Sequence, residues 1–334
     1  MKAAVLGAGS WGTTFAQVLC DAGTKTVLVS RKPQLAKAIA GLHENPEYLP
    51  GIALTPALDA TSDPAEALAG ADLVAFAVPA QSLRGNLEAW APLIPRGALL
   101  VSLMKGIELG TCLRMSEVIA EVTGAEAARI GLVAGPNLAG EIVRREFTAA
   151  VVACVSPDGA LALQGACHTP YFRPYTNTDV TGCELGGTVK NVIAIAVGIA
   201  VAMGLGDNTR ATLITRGLAE MARLGSALGA QTQTFAGLAG MGDLVATCSS
   251  PLSRNRTFGE NLGRGMSVDS ASAATGQTAE GVASCGPVLK LARAHHVEMP
   301  ITEVVEAVMR DGLPVAEAAS MLASRSAKPE WYGP

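Results

Sequence analysis

The chain has 334 residues, of which 49% are hydrophobic and 16% are charged, and its formal net charge is −4. A chain of this length favours two domains over a single hydrophobic core. The slightly acidic balance, with no basic stripe interleaved with aromatic residues, disfavours a nucleic-acid-binding protein.

Short apolar runs alternate with helical patterns over the first half of the chain. Apolar runs without polar alternation are typical of strands buried on both faces, as in a parallel sheet covered by helices. A helical pattern from Trp11 to Asp21 separates the first two runs. The predicted strands are Lys2–Gly7, Thr26–Ser30, Ala71–Pro79, Ala98–Met104, Ile130–Ala134 and Thr148–Val155.

The pattern changes after about Thr178, where helical spacings replace the strand-like runs. Helices are predicted over Glu280–His296 and Thr302–Arg310, and Pro314 is suited to the start of a last one. A further helix that ends near Gly229 is predicted from apolar residues at helical spacing, namely Leu213, Leu218, Met221, Leu224 and Leu228. We therefore predict an α/β domain over residues 1–180, with a mostly parallel sheet and helices on both faces, followed by an all-helical domain over residues 181–334.

Targeting and metal-binding signals are missing from the sequence pattern. Met1 is followed almost at once by a strand-like run rather than by a charged region and a cleavage site. The apolar run Val192–Leu205 is shorter than the ~20 residues that cross a bilayer, so we expect a core helix. The seven cysteines include no C-x-x-C pair, and the adjacent histidines lack metal-ligand spacing. We predict reduced thiols, a cytoplasmic location, no transmembrane segment and no metal.

The stretch GAGSWG, Gly7–Gly12, is a G-x-G-x-x-G motif between a predicted strand and a predicted helix. In such a βαβ context Gly7 permits a tight turn and Gly9 lets the backbone approach a pyrophosphate. Gly12 allows close packing of helix and strand, and the helix N-terminus attracts the anion. The motif predicts a dinucleotide site; the alternative is a glycine-rich turn without a ligand.

The second predicted strand ends at two cations, Arg31 and Lys32. An NAD-specific site usually has an acidic residue at this position, which holds the ribose 2′-hydroxyl. Two cations suit the 2′-phosphate of NADPH, whereas the alternative is a solvated basic pair. We predict that NADPH is used at least as well as NADH.

One lysine, Lys190, lies beside Asn191 in a long apolar stretch, where we expect it at the entrance of a core helix. Hydride transfer to a ketone leaves negative charge on the carbonyl oxygen. A lysine whose pKa is lowered by burial can donate a proton to that oxygen near neutral pH. The alternative is a lysine whose ammonium group reaches the surface.

Two further segments contain polar residues suited to this chemistry. Asp243 and Thr247 are four residues apart, which places them on one face of a helix, where the carboxylate can pair with the ammonium. The residues Ser253, Arg254 and Asn255 stand at a predicted helix start and offer a hydroxyl, a bidentate cation and an amide to a phosphate. The alternative for this second segment is N-capping with surface charge.

Nine segments occur in an order that is specific for one family: GAGSWGTTFA, HENPEYLPGI, ADLVAFAVPAQSLR, SLMKGIE, AGPNLAGEI, ELGGTVKNVIAIAVGIAVAMGLGDN, TRGLAEM, GLAGMGDLVATC and SRNRTFG. With them the chain resembles the bacterial NAD(P)-dependent glycerol-3-phosphate dehydrogenases over nearly its whole length. The resemblance implies a Rossmann-like first domain and reversible reduction of dihydroxyacetone phosphate to sn-glycerol 3-phosphate. It also implies NADP(H) and/or NAD(H) as cofactor, a role in supplying glycerophospholipid synthesis, a cytoplasmic location and a homodimer.

The resemblance also implies roles for individual residues. Lys190 is the implied proton donor, and Asn191, Asp243 and Thr247 are implied to hold the lysine and the substrate hydroxyls. The implied substrate-binding residues are Lys105, Gly135, Asn137, Lys190, Asp243, Ser253, Arg254 and Asn255. The implied cofactor-binding residues are Gly7, Gly9, Ser10, Trp11, Gly12, Arg31, Lys32, Lys105, Ala139, Arg254, Thr278 and Glu280.

Two departures from the family pattern and two rival functions stay open. The segment Ile142–Phe147 replaces a turn that usually contains glycine and proline, and Thr278 stands where an aliphatic residue is common. One rival is a related β-hydroxyacid dehydrogenase, which needs a carboxylate clamp. The other is a non-catalytic nicotinamide-binding sensor, which does not need Lys190, Asp243 and Arg254 together.

Overall fold

The computed structural model describes residues 1–275, 279–326 and 329–330. The chain divides into two compact units, here called the α/β unit (Met1–Lys105 and Leu113–Val180) and the helical unit (Gly106–Cys112 and Thr181–Pro334). The short segment Gly106–Cys112 differs from the predicted division, which kept residues 1–180 together. It belongs to the helical unit because Ile107 is fully buried in that unit's core and Lys290 donates a hydrogen bond to the carbonyl of Gly110 at 3.1 Å.

The α/β unit is built on one eight-stranded sheet and a separate two-stranded antiparallel pair, β3–β4. The order in the large sheet is β10-β9-β8-β7-β6-β1-β2-β5, and its neighbours are parallel except β8 and β9. The strands are β1 Lys2–Leu6, β2 Lys25–Val29, β3 Glu44–Asn45, β4 Leu49–Ala53, β5 Asp59–Thr61, β6 Leu73–Phe76, β7 Leu99–Ser102, β8 Ile130–Ala134, β9 Thr148–Cys154 and β10 Phe172–Asn177.

All six predicted strands are present, as β1, β2, β6, β7, β8 and β9, which confirms the mostly parallel sheet. The sequence did not predict β5 and β10, which form the two edges of the sheet, nor the β3–β4 pair. An edge strand is partly solvated, so it does not need a continuous apolar run. β10 alternates buried and exposed residues over its first half and contains Pro174, which a strand tolerates at an edge.

The sheet is buried on both faces because helices cover each of them. Alternate residues of β1 contribute to different cores: Ala3 and Val5 belong to the same core as Phe15, whereas Ala4 and Leu6 belong to the core that contains Leu87. The helices of this unit are α1 Ser10–Asp21, α2 Pro33–Leu42, α3 Pro64–Leu68, α4 Leu83–Trp90, α5 Met115–Thr123, α6 Ala139–Ile142 and α7 Pro157–Cys167. The first core includes residues of α1, α2 and α7, and the second includes residues of α3, α4 and α5.

The regular elements of the helical unit are all helices within the part of the chain that the structure describes. They are α8 Val180–Ala202, α9 Asp207–Ala227, α10 Thr232–Ala236, α11 Asp243–Ser249, α12 Arg254–Gly263, α13 Val268–Thr275, α14 Glu280–Ala294, α15 Pro300–Arg310 and α16 Val315–Ala323, with a π-helical turn at Leu238–Gly242. One apolar core unites them, and α8 supplies much of it, with Val192, Ile193 and Ile195 fully buried. The predicted helical second half is therefore confirmed.

Helix α8 corrects two expectations. Its first residue is Val180, so Lys190 lies in the middle of the helix and not at its entrance. The start of α8 at Val180 was not predicted from the sequence, because glycines such as Gly186 are weak helix formers. With 23 residues and a mean hydropathy of 1.8, α8 is also long enough to cross a bilayer, so the length argument was wrong. Its burial supports a core helix instead, since 89% of its most apolar window is enclosed by the protein.

A buried carboxylate on α9 fixes the start of α15. Glu220 is 2% exposed and accepts hydrogen bonds from the backbone amides of Ile301 (2.6 Å) and Thr302 (3.3 Å) and from the Thr302 hydroxyl (3.0 Å). The carboxylate thus takes the place of an N-cap residue, because the first amides of a helix lack intrahelical partners. Burial raises the pKa of Glu220 to about 7, and the hydrogen bonds only partly oppose that shift.

The raised pKa of Glu220 makes the free energy of unfolding pH-dependent. The native state holds its proton up to about pH 7, whereas the unfolded chain releases it near the ordinary value of 4.5, so stability falls as the pH rises between these values. In urea titrations the wild type should lose about 3 kcal/mol relative to Glu220→Gln between pH 5 and pH 8. The exposed Glu303→Gln on α15 serves as control and should show no such change. A difference between wild type and Glu220→Gln that does not vary with pH would contradict the expectation.

Candidate active site

The glycine-rich loop follows β1, and its three glycines face different surroundings. Gly7 has φ +121°, and a Cβ there would lie 2.4 Å from the carbonyl oxygen of Ala77. A Cβ on Gly12 would lie 2.0 Å from the carbonyl oxygen of Gly7, so the protein itself requires these two glycines. A Cβ on Gly9 would meet nothing within 4 Å. Packing therefore leaves open the one position at which a pyrophosphate is expected to approach the backbone.

The loop lies at the switch point of the sheet, where β1 has β2 on one side and β6 on the other. Ligands of open α/β sheets bind outside the carboxyl ends of the strands at such a point. Trp11, at the start of α1, has a buried Nε1 without a hydrogen-bond partner among the described residues. An unsatisfied buried donor in the first turn after the glycine-rich loop fits a bound dinucleotide.

Asn45 holds the glycine-rich loop and was missed by the sequence reasoning. It is fully buried, and its Nδ2 donates to the Ala8 carbonyl at 3.0 Å and to the Thr13 hydroxyl at 2.8 Å. Its Oδ1 accepts from the amide of Tyr48 at 3.1 Å, and the Tyr48 carbonyl in turn accepts from the Ser10 hydroxyl at 3.2 Å. The predicted cofactor residue Ser10 is thus fixed by the segment HENPEY. The only sequence signal was an asparagine in that segment.

Both cations after β2, Arg31 and Lys32, are exposed, as a role in holding a 2′-phosphate requires. The ammonium of Lys32 is engaged in an ion pair with the carboxylate of Glu47. Sequence analysis did not find this acidic neighbour, because fifteen residues separate the two side chains.

The remaining predicted residues of the α/β unit follow the carboxyl ends of β7 and β8. Lys105 donates from Nζ to the Gly135 carbonyl at 2.9 Å, and Asn137 donates from Nδ2 to the Ala134 carbonyl at 3.1 Å. The Oδ1 of Asn137 is buried without a hydrogen-bond partner in the described residues, so it can accept from a ligand. Ala139 begins α6, and its carbonyl accepts from the Thr14 hydroxyl of α1 at 3.3 Å.

The unusual segment Ile142–Phe147 is tied to the far end of α1. Arg145 has φ +61°, a conformation that glycine adopts without strain, and its guanidinium contacts both carboxylate oxygens of Asp21 at 3.0 and 3.3 Å. Asp21 also accepts from the Tyr171 hydroxyl at 2.7 Å. The ion pair therefore fixes a turn that relatives of this chain were expected to build with glycine and proline.

The helical unit contains the predicted polar group around Lys190. Its Nζ lies 2.6 Å from Asp243 Oδ1 and 2.6 Å from Thr247 Oγ1, and the Thr247 hydroxyl is 3.3 Å from the same carboxylate oxygen. Lys190 is 6% exposed, Asp243 is 1% exposed and Thr247 is 5% exposed, so the ammonium does not reach the surface. A buried ammonium with a carboxylate and a hydroxyl as partners is oriented as a proton donor requires.

Close backbone contacts place Asp243 opposite Lys190. Asp243 is the first residue of α11, directly after the π-helical turn Leu238–Gly242. A Cβ on Gly186 of α8 would lie 2.3 Å from the carbonyl oxygen of Ala239 in this turn. Such π-turns are frequent at functional sites. The turn and the glycine together let α11 approach α8 closely enough for the 2.6 Å ion pair.

The predicted phosphate group forms the start of α12. Ser253 is the N-cap and accepts from the amide of Arg256 at 3.3 Å. The side chain of Asn255 is engaged within the protein: it donates to Asn191 Oδ1 at 3.0 Å and accepts from the Gly281 amide at 2.9 Å. The second Nδ2 hydrogen of Asn255 and its backbone amide are the donors that this arrangement leaves for a phosphate.

Arg254 and Glu280, two predicted cofactor residues, are brought near each other. Desolvation by neighbouring protein atoms lowers the pKa of Arg254, and the Glu280 carboxylate opposes that shift. Glu280 is the first residue of α14, and the amide of the next residue, Gly281, bonds to Asn255. Thr278, the remaining predicted cofactor residue, lies outside the described residues.

The fold and these groups define a class: a Rossmann-like nicotinamide-dependent oxidoreductase with a separate helical unit that carries a buried lysine. The comparisons with known proteins narrow this class. The family model for the NAD-dependent glycerol-3-phosphate dehydrogenase N-terminus matches residues 2–160, and the model for the C-terminus of the same family matches residues 179–320. The chain belongs to the NAD-dependent glycerol-3-phosphate dehydrogenase family.

Individual relatives agree with the family models. A glycerol-3-phosphate dehydrogenase [NAD(P)+] of Thermobifida fusca is 65% identical over 333 residues, which cover 99% of both chains. The protein of the same name from Streptomyces griseus is 62% identical and covers 99% of this chain and 98% of its own. A crystal structure of glycerol-3-phosphate dehydrogenase from Coxiella burnetii has a TM-score of 0.92 at 37% identity, covering 97% of this chain and 99% of that one. The predicted family, fold class and cofactor class are confirmed.

The difference between Gly9 and Gly12 can be measured. Gly9 has φ −73° and open space at its Cβ position, so Gly9→Ala should keep the thermal stability of the wild type. The added methyl should obstruct the pyrophosphate and weaken NADPH binding by about tenfold or more, measured by fluorescence titration. Gly12→Ala should lose both stability and binding, because its methyl overlaps Gly7. A Gly9→Ala protein with unchanged NADPH affinity would show that the loop does not hold the cofactor.

Proposed function

We propose that the protein catalyses the reversible reduction of dihydroxyacetone phosphate to sn-glycerol 3-phosphate with NADPH or NADH. The observation that carries this proposal is the buried Lys190 ammonium, held 2.6 Å from both Asp243 and Thr247. Its support comes from the family to which the chain belongs and from the names of the relatives in Thermobifida fusca and Streptomyces griseus.

The bound nicotinamide supplies or accepts the hydride. Lys190 donates a proton from Nζ to the carbonyl oxygen as negative charge develops there, and it accepts the proton in the reverse direction. Asp243 offers the ammonium an opposite charge in its apolar surroundings, and Thr247 fixes the direction of a second N–H bond. The side chain of Asn191, the next residue on α8, accepts a hydrogen bond from Asn255, which fixes its orientation beside the lysine in sequence.

The substrate phosphate is assigned to the first turn of α12. A helix N-terminus offers amide donors and a partial positive charge, and Arg254 adds a guanidinium that can bind two phosphate oxygens. The resemblance also implies substrate-binding roles for Lys105, Gly135 and Asn137 of the α/β unit. In this proposal the α/β unit binds the dinucleotide and the helical unit supplies the proton donor and the phosphate site.

A substrate panel separates this proposal from its rivals. Purified protein is mixed with NADPH or NADH and with dihydroxyacetone phosphate, its unphosphorylated analogue or a β-keto acid, and nicotinamide absorbance is followed. We expect turnover with dihydroxyacetone phosphate in preference to the other two. A preference for the β-keto acid would favour the β-hydroxyacid dehydrogenase. Binding of nicotinamide without turnover of any substrate would favour the sensor.

Three further properties implied by the resemblance stay predictions: a homodimer, a cytoplasmic location and a role in supplying glycerophospholipid synthesis. The preference for NADPH over NADH is likewise a prediction. Sedimentation of the purified protein tests the dimer directly.

Replacement of Lys190 tests the proton donor. Lys190→Ala should retain NADPH affinity, because the glycine-rich loop lies in the other unit, and should lose about 10²–10⁴-fold in kcat. Since this change leaves Asp243 buried without its cation, it is paired with Lys190→Ala/Asp243→Ala, which removes both charges and should recover stability but not activity. Lys290→Ala, which changes an exposed lysine of α14, should remain active. A nearly active Lys190→Ala enzyme would overturn the assignment.

A further inference from the structure

An acidic side chain stands where sequence analysis expected only cations. Lys32 and Glu47 form an ion pair, with side chains 46% and 40% exposed. Glu47 lies in the turn between β3 and β4, and the adjacent Tyr48 is bonded to Asn45 and to Ser10. Because Asn45 also bonds to Ala8 and Thr13, the turn that carries Glu47 is fixed to the glycine-rich loop. Glu47 is therefore positioned by a buried network.

The end of β2 itself offers no carboxylate to a ribose. The strand ends at Val29, and the next residue, Ser30, is 3% exposed and uses its hydroxyl to accept from the Lys32 amide at 3.2 Å. A Rossmann-like site that uses NADH usually has an acidic residue here for the ribose 2′-hydroxyl. In this chain the carboxylate that reaches the residues after β2 is that of Glu47. It comes from the β3–β4 turn and forms an ion pair with Lys32.

We propose that Glu47 is a specificity-determining residue that accepts from the ribose 2′-hydroxyl of NADH and competes with the 2′-phosphate of NADPH for Lys32. This inference rests on the proposed function, since it assumes that a nicotinamide dinucleotide binds at the glycine-rich loop. A phosphate monoester carries close to two negative charges at neutral pH, so a carboxylate on the same lysine opposes its binding. An exposed ion pair is weak, so the 2′-phosphate can displace Glu47 from Lys32, and both cofactors can be used.

The test uses cofactor fragments and calorimetry, so it does not depend on turnover. Wild type and Glu47→Gln are titrated with adenosine 2′,5′-bisphosphate, which carries the 2′-phosphate, and with ADP, which has the free 2′-hydroxyl. Glu47→Gln should lower the dissociation constant of the bisphosphate by about three- to tenfold and raise that of ADP by about twofold or more. Glu44→Gln, an exposed carboxylate of β3 with the same change of charge, should leave the ratio of the two dissociation constants unchanged.

Lys32→Gln completes the test. In the Lys32→Gln background the further change Glu47→Gln should tighten the bisphosphate less than it does beside Lys32, because the competition requires the lysine. An unchanged ratio in Glu47→Gln, or an equal change in Glu44→Gln, would overturn the inference and leave the proposed function intact. A wild-type protein that binds neither fragment nor NADPH nor NADH would instead overturn the proposed function.

Discussion

The ion pair between Lys190 and Asp243 is the interaction on which the proposed chemistry depends. Burying an ammonium group without a partner is strongly unfavourable, and even a well-paired buried salt bridge is often no more stabilising than apolar residues of the same volume. The surroundings of Lys190 on α8 are apolar, and Val189 and Val192 are fully buried. A valine or leucine at position 190 would suit the core at least as well. The presence of the pair therefore argues for a function and not for stability.

Glycine is what lets the helical unit build this pair. The chain has 37 glycines and 4% aromatic residues, and several glycines lie where helices touch through their backbones. A Cβ on Gly198 of α8 would lie 2.1 Å from the Arg256 carbonyl of α12, and a Cβ on Gly259 would lie 2.1 Å from the Ile195 carbonyl. Together with Gly186 at the π-helical turn, these contacts hold α11 and α12 close to one helix. Polar side chains as short as aspartate and asparagine can then reach Lys190 and Asn191.

The sequence was sufficient to predict those features that depend on residues close together in the chain. Buried strands are continuous apolar runs, and the glycine-rich loop has a spacing with a stereochemical cause, so both could be read from the sequence. The edge strands β5 and β10 could not, because solvated strands need no such run. The start of α8 was missed because its glycines serve contacts with distant residues. The partners Glu47 of Lys32 and Asn45 of the loop were missed for the same reason: only the folded chain brings them together.

Two buried carboxylates of the helical unit show why the lysine matters. Glu220 is satisfied by two amides and a hydroxyl at the start of α15, and burial still raises its pKa to about 7, so it loses its charge under mildly acidic conditions. Asp243 is at least as buried, but it faces an ammonium at 2.6 Å and a hydroxyl at 3.3 Å. Neutral donors thus anchor a helix at Glu220, whereas the partner of Asp243 carries a full opposite charge that compensates the buried carboxylate. The 2.6 Å contact with Asp243 holds the lysine in one direction, which is the alignment that proton transfer to a substrate oxygen demands.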